Sequence, residues 1–236
     1  MREIIEQQAN CKHSFRKPVR FLERLSHVAR ADFEGLLHAS SYPPNTVIFT
    51  EGDPAAGLHV VLEREVRTSI GSTDGKHPNL RIARKGEVLG LSSVLAAGTY
   101  NATAETLYPA KLAYIARETF VAFLSRHPST YMAVVEELSR KVSTACEQLR
   151  MVALSHSAPE KLARLLLEWS ENGQTAGMEC RIRFSLTHEQ IGEFIGASRE
   201  TVTRTLASFR DRQLVKFQGS VLTIPDREVL ANYASV

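Results

Sequence analysis

The segment at residues 196–204 reads Gly-Ala-Ser-Arg-Glu-Thr-Val-Thr-Arg and carries side chains that can read DNA bases. Arg199 and Arg204 can each donate two parallel hydrogen bonds to guanine O6 and N7, and Glu200 can accept one from the cytosine amino group. DNA phosphates repel a carboxylate. Glu200 at the exposed tip would therefore weaken a helix that contacted only the DNA backbone. The alternative is a solvated helix face, on which residues four positions apart, such as Glu200 and Arg204, are ordinary neighbours.

Two short helices are needed to position these side chains. Thr187 can cap a first helix, and Gly196 can end it, because a residue without Cβ adopts positive φ at low cost. Ser198 can then cap a second helix. Two short helices joined by a three- to four-residue turn that contains a glycine predict a helix-turn-helix.

The two faces of the second helix differ in character. On a helical wheel one side collects Val202, Leu206 and Phe209, which we expect to pack against Ile191 and Phe194 of the first helix. The opposite side is polar and charged, mostly within the first turn and a half, where a recognition helix meets base edges. The predicted DNA-binding residues are Thr187, His188, Ser198, Arg199, Glu200, Thr201, Thr203 and Arg204.

Two short strand-like runs follow at residues 214–218 and 220–224, around Gly219. A hairpin directly after a recognition helix predicts a winged helix-turn-helix whose wing can touch the DNA backbone. Residues 155–236 contain ten Lys/Arg and ten Asp/Glu, so the net charge of this segment is zero. We therefore expect sequence-specific binding rather than strong general affinity for DNA.

A long helix is predicted over residues 128–153. Pro128 suits the first helical position. Apolar residues then recur at steps of three and four, with charged residues on both sides of the stripe. Such a narrow heptad seam favours a two-stranded coiled coil between subunits, whereas a helix packed on its own sheet is the alternative. The predicted dimer-interface residues are Met132, Val135, Leu138, Val142, Ala145, Leu149 and Val152.

The middle of the chain, from Thr46 to about Ile115, is a series of short β-branched and aliphatic runs separated by turn residues. This spacing predicts a small antiparallel barrel or double-sheet roll. Residues 1–40 carry apolar residues at helical spacing and predict short helices. The expected organisation is a sensor domain at 1–127, a dimerisation helix at 128–154 and a winged helix-turn-helix domain at 155–236.

Composition excludes several classes of protein. The chain has 236 residues, 43% of them hydrophobic and 23% charged, with a formal net charge of +3. This is the composition of a globular protein rather than a disordered one. We find no membrane-spanning run or signal peptide, so we expect a cytoplasmic protein without membrane association. The three cysteines form no C-x-x-C pair, and the eight histidines show no metal-site spacing, so no metal is expected.

Taken together, these motifs resemble the Crp/Fnr family of bacterial transcription regulators over nearly the whole chain. Residues 196–204 look like the family's recognition-helix motif, residues 86–90 (Gly-Glu-Val-Leu-Gly) and 51–57 are similar to the glycine turns of its cyclic-nucleotide-binding roll, and the heptad helix is similar to its dimerisation helix. The resemblance implies an α+β fold: a cyclic-nucleotide-binding-type β-roll (a double-stranded β-helix), a long dimerisation helix and a C-terminal winged helix-turn-helix. It also implies a homodimer that binds a palindromic TGTGA-like site on double-stranded DNA and acts through RNA polymerase.

The sensor region departs from the family pattern. In cAMP-binding members a Glu holds the ribose hydroxyl, and an Arg-Ser pair about ten residues later holds the cyclic phosphate. Here Leu91 replaces the Glu, and Asn101 and Ala102 replace the pair, while a ligand-contacting Thr-Ser pair on the dimer helix becomes Ala145-Cys146. A buried phosphate needs a cation or several N–H donors, so we do not expect cAMP binding, and the sequence names no other effector or cofactor. The candidate ligand-pocket residues are Gly90, Leu91, Asn101, Ala102, Thr103 and Cys146.

Other functions fit parts of this sequence. A regulator responding to cAMP or another nucleotide through a non-standard pocket remains an alternative, as does a nucleotide-binding adaptor whose helix-turn-helix binds protein. An enzyme such as a cupin-like barrel would need clustered ligands, but the strands offer only His59 and His77. The redox-sensing members of the family have an N-terminal cysteine cluster, whereas this chain has Cys11 alone there. We therefore predict a regulator that is not an enzyme.

Overall fold

The computed structural model describes residues 20–71, 79–153, 157–170, 173–183 and 186–234. The chain divides into two compact units, Met1–Thr144 and Ala145–Val236. None of the helices within these described residues is long and apolar enough to cross a membrane.

The first unit is a β-roll with helices before and after it. Its strands form two antiparallel four-stranded sheets, in the orders β1-β8-β3-β6 and β2-β7-β4-β5. This arrangement confirms the predicted double-sheet roll. Its elements in chain order, the last of which continues past the unit boundary, are α1 (Arg20–Glu23), α2 (His27–Gly35), β1 (His38–Tyr42), β2 (Val47–Phe49), β3 (Gly57–Glu63), β4 (Val66–Ser69), β5 (Asn79–Ala83), β6 (Val88–Leu89), α3 (Leu91–Leu95), β7 (Thr103–Thr106), β8 (Ala110–Ala116), α4 (Arg117–Arg126) and α5 (Thr130–Ala153).

The core of the first unit lies between the roll and its helices. Strand β3 is buried along almost its whole length, so both of its faces contribute. Phe33 of α2 packs edge-on against Phe120 and Phe123 of α4, with ring centroids 6.2 and 5.2 Å away. Buried aromatic pairs of this geometry contribute about 0.5–1.5 kcal/mol beyond their apolar area. These contacts join α2 and α4, which lie far apart in sequence, in one core.

The sequence pattern does not predict two strands of the roll, β1 and β6. Strand β1 reads His-Ala-Ser-Ser-Tyr and begins within residues 1–40, where short helices were expected. It forms because it pairs antiparallel with β8, from His38 opposite Tyr114 to Tyr42 opposite Ala110. Tertiary pairing here overrides weak local β propensity. Strand β6 is only two residues long and pairs with β3.

The second unit combines helices with one four-stranded antiparallel sheet in the order β11-β12-β10-β9. The predicted hairpin around Gly219 is present as β11 and β12. Strand β11 forms one edge of the sheet, and β12 lies next to it. Strand β9 pairs with β10 at the other edge of the sheet. Its elements are α6 (Ala158–Ser170), β9 (Gln174–Ala176), β10 (Glu179–Arg183), α7 (His188–Ile195), α8 (Arg199–Asp211), β11 (Lys216–Gln218), β12 (Val221–Ile224) and α9 (Arg227–Tyr233).

Candidate DNA-binding interface and sensor region

Both helices of the predicted helix-turn-helix begin at a side-chain cap. The Thr187 hydroxyl accepts from the Gln190 amide, and the Gln190 side chain accepts from the Thr187 amide, which completes a capping box. Gly196 ends α7 in the left-handed conformation at φ 65°. The Ser198 hydroxyl accepts from the Thr201 amide at the start of α8. The caps therefore fix where each helix begins, and so which residues occupy the first turn of α8.

Gly192, which the sequence interpretation passed over, lets the two helices approach. A Cβ at this position would lie 2.4 Å from the backbone oxygen of Ala197. The Ala197 amide also donates to the Gly192 carbonyl at 2.9 Å. A glycine inside an amphipathic helix is disfavoured by about 1 kcal/mol relative to alanine. Its presence at position 192 therefore indicates that the helix needs a residue without a side chain there.

We expect Gly192→Ala to destabilise the second unit by about 1–3 kcal/mol, because the methyl group must displace backbone rather than a mobile side chain. Trp169 is the single tryptophan of the chain, and its ring lies edge-on to Phe194 of α7. Its fluorescence during urea unfolding therefore reports on this unit. Gly35→Ala is the matched control, since a Cβ there meets nothing within 4 Å. Equal Trp169 midpoints for both variants and the wild type would contradict the close-packing role.

Helix α8 has one buried face and one exposed face. Val202, Leu206 and Phe209 are at most 3% exposed, and Ile191 of α7 is fully buried. Phe194 is only half-buried, and its ring contacts Trp169 of α6. The predicted DNA-binding residues Arg199, Glu200, Thr203 and Arg204 are all exposed. The structure thus brings these four side chains together on one accessible surface.

Glu200 is held in its ionised form at the tip of α8. Its pKa is lowered chiefly by a hydrogen bond from its own backbone amide, then by the Ser198 side chain, with smaller contributions from the charges of Arg199 and Arg204. Glu200 and Arg204 both lie among the described residues, and they form no ion pair with each other. Arg204 instead approaches the Thr201 hydroxyl at 3.5 Å. The carboxylate therefore remains an available acceptor.

The other predicted DNA-contact residues lie around this surface. His188 at the start of α7 meets Thr203 of α8, with Nδ1 and Oγ1 2.8 Å apart. Thr203 also donates to the Arg199 carbonyl at 2.9 Å. On the wing, all three residues of β11 are exposed, including Lys216 and Phe217.

The long helix α5 carries an exposed apolar stripe. Met132, Val135, Val142 and Leu149 are 65%, 53%, 62% and 66% exposed, and Ala145 is also exposed. Leu138, which the heptad reading placed in the same seam, is half-buried against the core of the first unit. The Val152 side chain lies outside the described residues. The apolar stripe is therefore defined here as Met132, Val135, Val142, Ala145 and Leu149.

The predicted ligand-pocket residues differ widely in their surroundings. Leu91 is only 2% exposed and belongs to the hydrophobic core. Asn101 is exposed, and its Oδ1 accepts from the Ser93 hydroxyl at 2.5 Å. Thr103 accepts from the Glu51 amide at 3.0 Å. Neither the aliphatic Leu91 nor the neutral Asn101 supplies charge for a ribose or a phosphate.

Three further positions complete this description. Gly90 precedes α3 at φ 78°, and a Cβ there would lie 2.9 Å from the Tyr100 ring. Ala102 is half-buried and offers only a methyl group. Cys146 is an exposed thiol on α5, in the part of the chain assigned to the second unit. None of the side chains at these three positions carries a positive charge.

Lys141 in the first unit is a half-buried cation. Lys141 of α5 donates to the Val88 carbonyl at 2.6 Å, which ties this helix to strand β6. Burial, and next the charge of Arg81, lower the pKa of Lys141 to about 8. No pattern in the sequence predicts this contact, because it joins residues 53 positions apart.

His59, one of the two histidines considered for an enzyme, lies among aromatic rings. Its ring centroid is 5.7 Å from Phe49 and 5.0 Å from Tyr114, and its Nδ1 has no hydrogen-bond partner in the described parts of the chain. Burial lowers its pKa from the ordinary 6.5 to about 4. No group of three or more potential metal ligands occurs among the described residues. His77 lies outside them.

This burial predicts a pH-dependent stability for the roll. The unfolded chain binds the His59 proton more strongly than the folded one, so the neutral ring stabilises the fold fully above pH 6.5. About 3 kcal/mol should be lost as the pH falls from 6.5 to 4, at about 1.4 kcal/mol per pH unit. Hydrogen exchange of the β3 amides measures this loss, and His59→Leu should reduce it. The exposed His38→Gln is the control. An equal loss in wild type and His59→Leu would rule out this origin.

Comparison with known proteins identifies the class to which this fold and surface belong. Residues 39–127 match the cyclic nucleotide-binding domain, and residues 160–233 match the Crp-like helix-turn-helix domain. The CRP-like cAMP-activated global transcriptional regulator of Mycobacterium tuberculosis is 26% identical over 199 residues, which is 84% of this chain and 88% of that protein. The probable transcriptional regulator flp of Lacticaseibacillus casei is 26% identical over 222 residues, covering 94% of this chain and 99% of that protein.

The solved structures give the same fold. FixK2 from Bradyrhizobium japonicum superposes with a TM-score of 0.77 at 20% identity, over 85% of this chain and 98% of that one. The chain belongs to the Crp/Fnr family of DNA-binding transcription regulators. The resemblance stated from the sequence motifs is thereby confirmed, as are the fold class and the helix-turn-helix.

Proposed function

We propose that this regulator binds a palindromic TGTGA-like DNA site as a homodimer, with Arg199, Glu200 and Arg204 reading bases. The observation that carries the proposal is the exposed face of α8. It holds two arginines and an ionised glutamate within its first two turns, while the opposite face is buried. Recognition helices meet base edges with this part of the helix. The proposed contacts also include Thr187, His188, Ser198, Thr201 and Thr203.

The homodimer is supported by the apolar stripe on α5. Large apolar side chains exposed at heptad spacing along a helix are costly in water and are typical of a coiled-coil seam. A second copy of the chain presents the same stripe, so two α5 helices can bury each other's apolar residues. Because the two recognition helices are then related by two-fold symmetry, half-sites of a palindrome should lie about one helical turn, ~34–36 Å, apart.

The N-terminal roll, in this proposal, has lost the residues that hold cAMP. Leu91 lies in the core where the family pattern has a Glu, and Asn101 is a neutral, exposed residue where it has an Arg. A phosphate without a cation or several N–H donors is poorly stabilised away from water. A different effector, or a nucleotide held by other residues, is compatible with this arrangement.

Titration calorimetry with cAMP tests this part of the proposal. We expect no binding at micromolar concentrations, because each missing charge-assisted contact removes about 1.5–3 kcal/mol. The M. tuberculosis relative, whose name describes it as cAMP-activated, is a suitable positive control. A micromolar or tighter dissociation constant for this chain would show that other residues of the roll hold the phosphate.

The remaining partners follow from the proposed activity. A regulator that acts on transcription meets RNA polymerase and works in the cytoplasm. The two domain boundaries, near residues 127 and 155, stay predictions.

A mobility-shift titration separates this function from the alternatives. The wild-type protein should retard a palindromic duplex at lower concentration than a duplex with one half-site or a random duplex of equal length. A nucleotide-binding adaptor or an enzyme would show no such preference. Equal affinity for all three duplexes would therefore remove the proposed function.

A further inference from the structure

The contact between His188 and Thr203 fixes where protons lie at the junction of α7 and α8. The Thr203 hydroxyl has one proton and two neighbours: the Arg199 carbonyl at 2.9 Å and His188 Nδ1 at 2.8 Å. A carbonyl oxygen can only accept, so the hydroxyl donates to Arg199. Nδ1 must then carry a proton and donate to the hydroxyl. This assignment leaves Nε2 as the unprotonated nitrogen of the neutral ring.

The Nε2 side of the ring is available to a ligand. His188 is only partly buried, and Nε2 has no hydrogen-bond partner among the described residues. The ring lies against Thr203, which shares its exposed surface with Arg199 and Arg204. In a neutral ring with the proton on Nδ1, Nε2 is an acceptor and repels another acceptor. A phosphate oxygen can therefore bond to Nε2 only after the ring has gained a second proton.

We propose that His188 contacts a DNA phosphate as an imidazolium, so that each subunit takes up one proton when it binds DNA. This inference rests on the proposed function, since it needs α8 to face DNA. Thr203 is a positioning residue here, because its hydroxyl is engaged by the protein and holds the His188 ring. The His188–phosphate contact is therefore independent of DNA sequence, and its strength depends on pH. The base contacts of α8 do not involve the His188 proton.

None of the charged side chains on α6, α7 and α8 that are named here bonds to the His188 ring. On α8 the neighbouring charges are Arg199, Glu200 and Arg204, and on α7 they are Glu189 and Glu193. Helix α6 packs against α7 and carries Glu160, Lys161, Arg164 and Glu168. Within the described residues none of these groups forms an ion pair or a hydrogen bond with the His188 ring. A DNA phosphate can therefore be its first anionic partner.

The test is the affinity of the full-length protein for palindromic and random duplexes between pH 5.5 and 8.0 at one salt concentration. Imidazole side chains change charge in this range. As the pH rises, wild-type affinity should fall by up to about tenfold per subunit for each pH unit. The fall should be the same on both duplexes, since a phosphate contact carries no sequence information. His188→Gln should abolish most of this slope. His188→Arg should restore the low-pH affinity at every pH. His38→Gln, which changes an exposed histidine of the first unit, should behave as wild type.

Two further variants separate positioning from mere folding. Thr203→Val removes the hydroxyl but keeps the branched shape, so it should reduce the pH slope without changing the unfolding midpoint, and Thr203→Ser should restore the slope. A wild-type slope in His188→Gln would overturn the inference while leaving sequence-specific binding intact. Absence of any preference for the palindrome, at every pH, would instead remove the proposed function.

Discussion

Replacing Arg199 with alanine is expected to weaken binding to a TGTGA-type palindrome by about 2–6 kcal/mol. A bidentate arginine–guanine contact contributes about 1–3 kcal/mol of discrimination, and a dimer makes it in both half-sites. The loss corresponds to about 30-fold to 10⁴-fold in affinity. Because the contact is to a base, binding to random duplex should change much less. Arg210→Ala is the matched control, since Arg210 is exposed at the far end of α8.

Glu200→Ala should behave in a different way. The carboxylate is ionised, so its removal lowers repulsion from phosphates and should leave general affinity equal or higher. Discrimination at the cytosine that it reads should fall by about 1–3 kcal/mol per half-site. Glu189→Ala removes the same charge from α7 and should affect all duplexes alike. Binding isotherms on the palindrome, on single-base variants and on random duplex measure both effects. Equal losses on every duplex, for Arg199→Ala and Glu200→Ala alike, would contradict base reading.

Val142→Lys is expected to give monomers at concentrations where the proposed function requires the wild type to be a dimer. Val142 is 62% exposed in one chain, and in the proposed seam it faces its own copy. The substitution removes about 1.5 kcal/mol or more of apolar burial from each subunit, hence at least ~100-fold in dimer affinity. Two facing ammonium groups weaken the dimer further. Palindrome binding should then become much weaker, because each subunit reaches only one half-site.

Light scattering measures the dimer mass directly. Val142 is preferable to Leu138, because Leu138 also packs on the core of the first unit and its replacement would disturb folding. Ser143→Lys is the matched control, since it adds the same charge at the next, exposed position of α5. An unchanged dimer mass in Val142→Lys would place the dimer interface elsewhere.

The helix-turn-helix could be predicted from sequence because its signals are local. The side chains of Thr187 and Ser198 each cap a helix by bonding to an amide three residues further on. Gly196 adopts the left-handed conformation that was expected of it. The alternation of Val202 and Leu206 with Arg199 and Thr203 then assigns the two faces of α8. Each of these features depends on neighbours less than two helical turns away.

Features that depend on distant pairing could not be predicted. Strand β1 has weak local propensity and exists because β8, about 70 residues away, pairs with it. The bond between His188 and Thr203 joins two helices across a turn whose geometry no single pattern encodes. Leu138 fits the heptad spacing equally well, yet it packs partly against the core of its own unit. Periodicity therefore identifies an apolar stripe without showing which surface buries each member.

The central claim is that two copies of this chain read a symmetric DNA sequence through α8. Selection of bound duplexes from a random pool by the wild-type protein, followed by sequencing, tests it most directly. We predict enrichment of a two-fold symmetric motif with TGTGA-like half-sites about one helical turn apart, ~34–36 Å centre to centre. Enrichment of a single unpaired half-site, or of no sequence at all, would contradict it.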